Sequence, residues 1–205
     1  MARARQAIVA AGMELFAERG FDAVTVADIA ARADVAPRTF HRYFPDKAEL
    51  LFTGDADLRQ ALETALQQET PSDGMPGYVI ALLDAACQPL AGLHTELVTR
   101  ERLLEQVPAL RARDLTKRFS QEQMVAEHLA DRLGVSIDED VRPRWWAGVA
   151  FATFTAGYQT WLTQGGALSA HLQTAARLLP DGADPPLQPE QRRGARPSVS
   201  AGPRT

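Results

Sequence analysis

Between Asp34 and Lys47 the chain reads DVAPRTFHRYFPDK, and six of these residues carry groups that recognise a polyanion or a hydrogen-bonding edge. Arg38 and Arg42 are four apart, so on a helix their guanidinium groups share one side. A guanidinium offers two parallel N–H donors, which match paired acceptors in a plane. The O6/N7 edge of guanine is one such pair, and two phosphate oxygens are another. Thr39, His41 and Tyr43 add shorter donors, and Lys47 adds a point charge. Pro37 suits the first turn of a helix, where its missing N–H costs nothing. Phe40 and Phe44, also four apart, form the apolar side that would turn this helix inward.

Two elements must hold that helix. Residues 5–19 carry Ile8, Ala11, Leu15 and Phe16 at helical spacing, and Gly20 ends the run. Thr25 then opens a second helix, with Asp28 three residues on in a capping-box pattern. Val26, Ile29, Ala30 and Ala33 form its stripe, and Asp34-Val35 breaks it. Helix, three-residue turn and polar helix together are the helix-turn-helix pattern, in which the second helix enters the major groove. A helix serving stability alone would rarely expose two arginines, a histidine and a tyrosine beside a proline.

The charge balance constrains how such a unit would work. The chain of 205 residues carries a net charge of −4. Its first 52 residues hold seven cations against seven acids, so contact with nucleic acid must come from local clustering and not from a basic domain. Apolar residues make up 45 %, enough for a sizeable core, and no run approaches the ~18 apolar residues of a membrane span. The N-terminus reads as an amphipathic first helix and not a leader, because Glu14 and Glu18 interrupt it. Cys87 is the only cysteine, which excludes an intrachain disulfide and fits a reducing cytoplasm.

The rest of the chain is expected to be helical, with no period-2 alternation. Asp46 is expected to cap a long helix to about Glu69, and "TPSDGMPG" (70–77) breaks the pattern. Further helices are expected at about 77–87, 90–105, 109–133, 138–164 and 167–179. Gly134 ends the third of these, and Ser136-x-x-Glu139 reads as a capping box for the fourth. From Asp181 five prolines and no aromatic residue mark a disordered tail. The expected organisation is all-α: a three-helix helix-turn-helix DNA-binding domain (1–47), a helical ligand-binding and dimerisation domain (48–180) and the tail (181–205).

Residues 25–51, "TVADIAARADVAPRTFHRYFPDKAELL", preceded by "ELFAERGFDAV" (14–24), resemble the TetR family of bacterial transcriptional regulators over about 45 residues in register. The "APRTF-x-RYF" helix resembles an actinobacterial subgroup. The C-terminal half resembles the family through "RERLLEQVPALRAR" (100–113) and the Trp161–Gly166 helix end. The resemblance implies an all-α homodimer that binds double-stranded operator DNA and a small-molecule effector. It implies that Thr25 meets a phosphate through its hydroxyl and helix N-terminus. Ala36, Pro37, Arg38, Thr39 and Arg42 would meet base edges or nearby backbone. His41 and Tyr43 would contact the backbone, and Lys47 would bind a phosphate at a helix start. The chain departs from the family pattern at Asp34, usually glycine, and at His41, usually tyrosine.

Six of the fourteen aromatic residues fall in "WWAGVAFATFTAGYQTW" (145–161). The expected pocket walls are Leu82, Leu83, Leu103, Leu104, Phe119, Met124, Phe151 and Phe154, apolar enough for a hydrophobic or amphipathic ligand. The small-residue face of the same helix suggests a dimer seam through Thr153, Gly157, Trp161, Leu168 and Leu172; ordinary core on both faces is the alternative. His94, His128 and His171 lack metal spacing. No nucleophile, metalloprotease or nucleotide-binding motif occurs, so neither catalytic residues nor a cofactor are expected. The leading function is a ligand-released repressor on a palindromic operator. The alternative is a small-molecule-binding helical protein or enzyme with a vestigial DNA-binding head.

Overall fold

In the computed structural model the described residues are 2–68, 74–90 and 92–179, and among them nine α-helices and two 3-10 turns leave no strand. The tail expected from Asp181 lies outside the described residues. The first three helices are α1 (Ala2–Arg19), α2 (Val26–Arg32) and α3 (Pro37–Tyr43). Gly20, at φ +78°, ends α1. Thr25 and Asp28 form the expected capping box, each side chain bonded to the other's backbone N–H. Asp34 takes the left-handed conformation at φ +53°, which turns Val35 N–H back to the Ala30 carbonyl at 2.9 Å. That bond closes the α2 end as a Schellman turn, and an aspartate fills the place glycine usually takes. Pro37 opens α3.

The single helix expected from Asp46 to Glu69 is instead two elements. A 3-10 turn spans Lys47–Phe52, and α4 follows at Asp55–Gln67. Asp46 does cap the turn, accepting the Glu49 N–H at 3.0 Å. Gly54 between them is a poor helix former, the Thr53 hydroxyl bonds the Leu50 carbonyl, and Asp55 and Asp57 supply fresh N-terminal acids. Gly12 of α1 lets the Leu50 side chain seat directly on the helix backbone, in space a Cβ would occupy.

The remaining helices are α5 (Met75–Cys87), α6 (His94–Gln106), α7 (Pro108–Leu133), α8 (Arg142–Gln164) and α9 (Leu168–Ala176), with a 3-10 turn at Gln88–Leu90. Gly134 ends α7 in the left-handed region as expected. The capping box at Ser136 does not form. Ser136 Oγ accepts only the Asp138 N–H, at 3.4 Å, and α8 begins at Arg142, where Pro143 can occupy the first turn. A helix from 138 would have placed Pro143 in its interior. The last helix is shorter than expected and ends at Ala176.

Two apolar clusters organise these elements. One gathers Ile8, Phe16, Ile29, Phe40 and Phe44 of the first three helices with Leu50, Leu51 and Phe52 of the turn. Leu103, Leu104 and Leu110, from the α6–α7 junction, complete it. The other joins α4 and α5 to α7, α8 and α9. The turn Lys47–Phe52 and the α6–α7 junction therefore share a core with the helix-turn-helix.

Candidate nucleic-acid interface and ligand pocket

Phe40 and Phe44 pack at 5.6 Å between ring centres and hold α3 by its inner side. The opposite side leaves Ala36, Pro37, Arg38, His41 and Arg42 exposed, with Thr39 and Tyr43 half-buried. The Arg42 guanidinium lies 4.9 Å from the Tyr43 ring centre and donates to its hydroxyl at 3.1 Å, so these two side chains form one stacked unit. Arg5 of α1 lies over the Phe44 ring at 5.6 Å and adds a cation beside α3.

Two of the expected contact residues carry other duties. The Thr25 hydroxyl donates to Asp28 Oδ2 at 2.5 Å and accepts the Asp28 N–H at 3.1 Å. The hydroxyl bond, with the Thr25 N–H that also donates to Oδ2 at 2.8 Å, holds the Asp28 carboxyl below the usual range and leaves the helix N-terminus, not the hydroxyl proton, to meet an anion. Lys47 is turned inward. Its Nζ donates to the Phe21 and Val24 carbonyls, both at 2.7 Å, and lies 4.4 Å from the Phe21 ring centre. Two of its three N–H groups thereby fasten the α1–α2 loop to the turn, because loop carbonyls have no helical partner of their own.

A cavity of about 210 Å³ lies between the turn Lys47–Phe52 and helices α4–α8. Leu82, Leu83, Phe151 and Phe154 line it as expected, with Leu58, Leu62 and Val125 among the further apolar walls. Phe154 stacks on Tyr158 at 5.5 Å and 16° between planes. Burial pushes the Tyr158 hydroxyl up to about 12, so it stays neutral. Leu103, Leu104, Phe119 and Met124 do not line the cavity. Leu103 and Leu104 belong to the helix-turn-helix core, Phe119 points to solvent at 63 % exposure, and Met124 packs against the second core. The side of α7 that faces the cavity carries Asp114, Lys117, Arg118, Gln121 and Val125 instead.

The expected dimer-seam residues are buried inside one chain. Trp161, Leu168 and Leu172 are core, Thr153 is buried, and a Cβ at Gly157 would stand 2.6 Å from Leu172 Cδ2. The close approach that Gly157 permits is thus that of α8 to α9 within the chain. The sequence shows which face is small, but not which helix will fill it.

Charged groups went unnoticed at the sequence level because they lie on helices that read as solvated. Arg100 bridges Asp114 at 2.5 Å and the Leu51 carbonyl at 2.9 Å. Arg113 pairs with Asp46 and Glu49 at 3.0 and 2.6 Å, and Lys117 reaches Glu49 and Asp55 at 3.5 and 3.4 Å. The Phe52 ring lies among the three cations, 5.0 to 5.6 Å from each. The turn that follows α3 is therefore clamped to α6 and α7 at the edge of the cavity. Their i, i+4 spacing in Arg113 and Lys117 was the one sequence signal that could have marked this. Burial pushes the Asp55 carboxyl up, while the Arg100 and Lys117 charges pull it back only in part. The Cys87 thiol, pushed up to about 11 by burial, is held protonated. Among the described residues no cluster of ligating side chains could hold a metal, and no helix is long and apolar enough to cross a membrane.

The sequence profile described as "Bacterial regulatory proteins, tetR family" matches residues 8–53, and that described as "MftR C-terminal domain" matches residues 77–184. The HTH-type transcriptional regulator TcmR of Streptomyces glaucescens is 34 % identical over 151 residues, a match spanning 69 % of this chain and 66 % of that protein. The "Putative mycofactocin biosynthesis transcriptional regulator MftR" of Mycobacterium tuberculosis is 30 % identical over 157 residues, 73 % of this chain and 75 % of that one. The structure of Thermus thermophilus FadR, a TetR family transcriptional repressor in complex with lauroyl-CoA, superposes with a TM-score of 0.53 at 25 % identity, covering 88 % of this chain and 98 % of that one.

Proposed function

The chain belongs to the TetR family of bacterial regulatory proteins, and from that premise we propose that it is a cytoplasmic repressor that binds a palindromic operator as a dimer and is released by a small hydrophobic or amphipathic effector. The observation that carries this reading is the outward side of α3, where Arg38 and Arg42 stand exposed on a helix held from its inner side by Phe40 and Phe44.

In this reading residues 1–47 are the DNA-binding domain, 48–180 the ligand-binding and dimerisation domain and 181–205 a tail. Arg38 pairs bidentately with a guanine, and the stacked Arg42–Tyr43 unit meets base edge or backbone. Ala36, Pro37 and Thr39 approach the same groove, and His41 reaches the backbone. Thr25 offers its helix N-terminus, and Lys47 the one N–H it does not spend on carbonyls. The recognition helix is of the actinobacterial type. The acyl-CoA complex of the FadR relative supports an amphipathic effector.

The dimer seam falls on the outer faces of α8 and α9, where Ala152, Ala156, Thr160 and Thr163 and then Ala170 and Thr174 are exposed and small. A two-fold seam there holds two recognition helices one groove repeat or a small multiple apart. The effector acts by linkage: it binds better to the arrangement that does not fit the operator. A gel shift on the DNA upstream of the protein's own gene tests the reading. The expected result is retarded complex at nanomolar protein that random DNA of equal length does not compete away. Equal competition by random DNA would favour a ligand-binding protein with a vestigial head.

A further inference from the structure

The cavity is mostly apolar but has a charged end, and the balance of charge there is informative. Arg100, Lys117 and Arg118 on its lining are matched by Asp55, Glu96 and Asp114. A ligand bringing a full charge would leave an excess charge in a partly dry site, at considerable cost. A neutral polar group carries no such cost.

The hydrogen-bond inventory says which kind of neutral group. Arg100 is fixed by bonds to Asp114 and the Leu51 carbonyl, and Lys117 is shared between Glu49 and Asp55. Two acceptors are less well served. Asp114 Oδ2 and Asp55 Oδ2 are buried without a well-formed hydrogen bond, Asp55 Oδ2 having only the Lys117 ammonium at 3.4 Å. Arg100 binds the other oxygen, Oδ1, and Arg111 and Arg118 stand 3.9 Å from Oδ2, beyond hydrogen-bond reach. The Asp114 side chain is 4 % exposed, so water cannot easily satisfy it. A buried acceptor without a donor costs free energy that an incoming O–H recovers.

Another part of the lining is aromatic, and it reaches the charged end at Tyr158, which feels the Arg100, Arg118 and Asp114 charges. Phe151, Phe154 and Tyr158 line the cavity, and the stacked pair Phe154–Tyr158 gives a flat surface. The cavity, about 210 Å³, is small beside the roughly 300–1,000 Å³ of common ligand sites.

Resting on the effector reading above, we infer that the pocket takes a neutral, hydroxylated aromatic ligand, its ring against Phe151 and Phe154 and its hydroxyl donating to the Asp55–Asp114 end. This ligand class differs from the acyl-CoA held by the FadR relative, which carries several negative charges. It also places ligand contact on Asp55, whose partner Lys117 reaches Glu49 in the turn behind α3.

The test uses the full chain and three probes with one ring body: 2-naphthol, naphthalene and 2-naphthoate. Binding is followed by quenching of the tryptophans and by release of operator DNA in the gel shift. The expected result is that 2-naphthol binds about tenfold or more tighter than either of the others, the size expected of one hydrogen bond to a charged acceptor. Asp55→Ala and Asp114→Ala should each shrink that preference, and since Asp114 also holds Arg100, Asp55→Ala with unchanged circular dichroism decides if Asp114→Ala fails to fold. Equal or tighter binding of 2-naphthoate, or a preference unchanged in both variants, overturns the inference. Binding by none of the three also overturns it. Release of DNA by an acyl thioester in that case would leave the effector reading standing.

Discussion

Gly157 of α8 and Leu172 of α9 stand so close that a Cβ on Gly157 would lie 2.6 Å from Leu172 Cδ2 and 3.0 Å from Leu172 Cα. The second distance involves backbone, which cannot swing aside. Gly157→Ala should therefore cost about 1–3 kcal/mol by overpacking, read from urea melts. Light scattering should still report the dimer of the proposed seam. Ala156→Arg, one residue earlier and exposed, should keep its helical content and yield monomers. The opposite pattern, with monomers from Gly157→Ala and dimers from Ala156→Arg, would return the seam to the buried face.

Lys47 gives a test of the clasp between the loop and the turn. Lys47→Met keeps the length of the side chain but removes the ammonium over Phe21 and its two charge-assisted bonds to carbonyls. The variant should lose about 2 kcal/mol of stability and bind all DNA sequences more weakly. An unchanged melt with a salt slope about one unit flatter would instead make Lys47 chiefly a phosphate contact.

Asp34 should behave as a substituted glycine position. Asp34→Gly relieves the left-handed strain and should be neutral or stabilising by up to about 1 kcal/mol. Asp34→Val sets a β-branched residue at φ +53° and should destabilise by about 1–2 kcal/mol or more. Thermal melts of both variants check this, and a valine variant as stable as the parent would contradict the turn assignment.

Acid sensitivity should be traceable to Asp46. Burial pushes its carboxyl up, but the Arg113 hydrogen bond and charge and the Glu49 N–H outweigh that and hold it below the usual range. A carboxyl lowered in the folded state adds stability above its unfolded value of about 4, and the gain is lost as pH falls through the folded value. The melting temperature should drop from about pH 5 to about pH 3. Asp46→Asn keeps a capping side chain without the charge, so it should start lower and fall less steeply. An identical pH profile would mean that the Arg113 pair contributes nothing.

What was legible in the sequence was local. The Thr25–Asp28 box, the turn at Asp34, Pro37 opening α3 and the Phe40–Phe44 pair all depend on neighbours within a few residues. The misreadings came from tertiary partners. Gly157 and its small neighbours show that a helix approaches, but α9 and a second chain look alike from one strip of sequence. Leu82, Leu103 and Phe119 are equally apolar, and only the rotation of α5, α6 and α7 decides which of them faces the cavity. The clamp of Arg100, Arg113 and Lys117 around Phe52 spans about sixty residues of chain, a distance no periodicity reports. Local rules did err at Ser136, where the downstream Pro143 was the stronger signal.

The central claim, that α3 reads DNA sequence through Arg38, is tested most directly by comparing Arg38→Ala with the parent on operator and on random DNA at fixed salt. Arg38 makes no fold-holding contact among the bonds described, so the variant should melt like the parent. The account predicts a loss of about 1–3 kcal/mol on the operator, a much smaller loss on random DNA, and relaxed preference at one base pair in each half-site. Equal loss on both DNAs, or operator affinity unchanged, would contradict it.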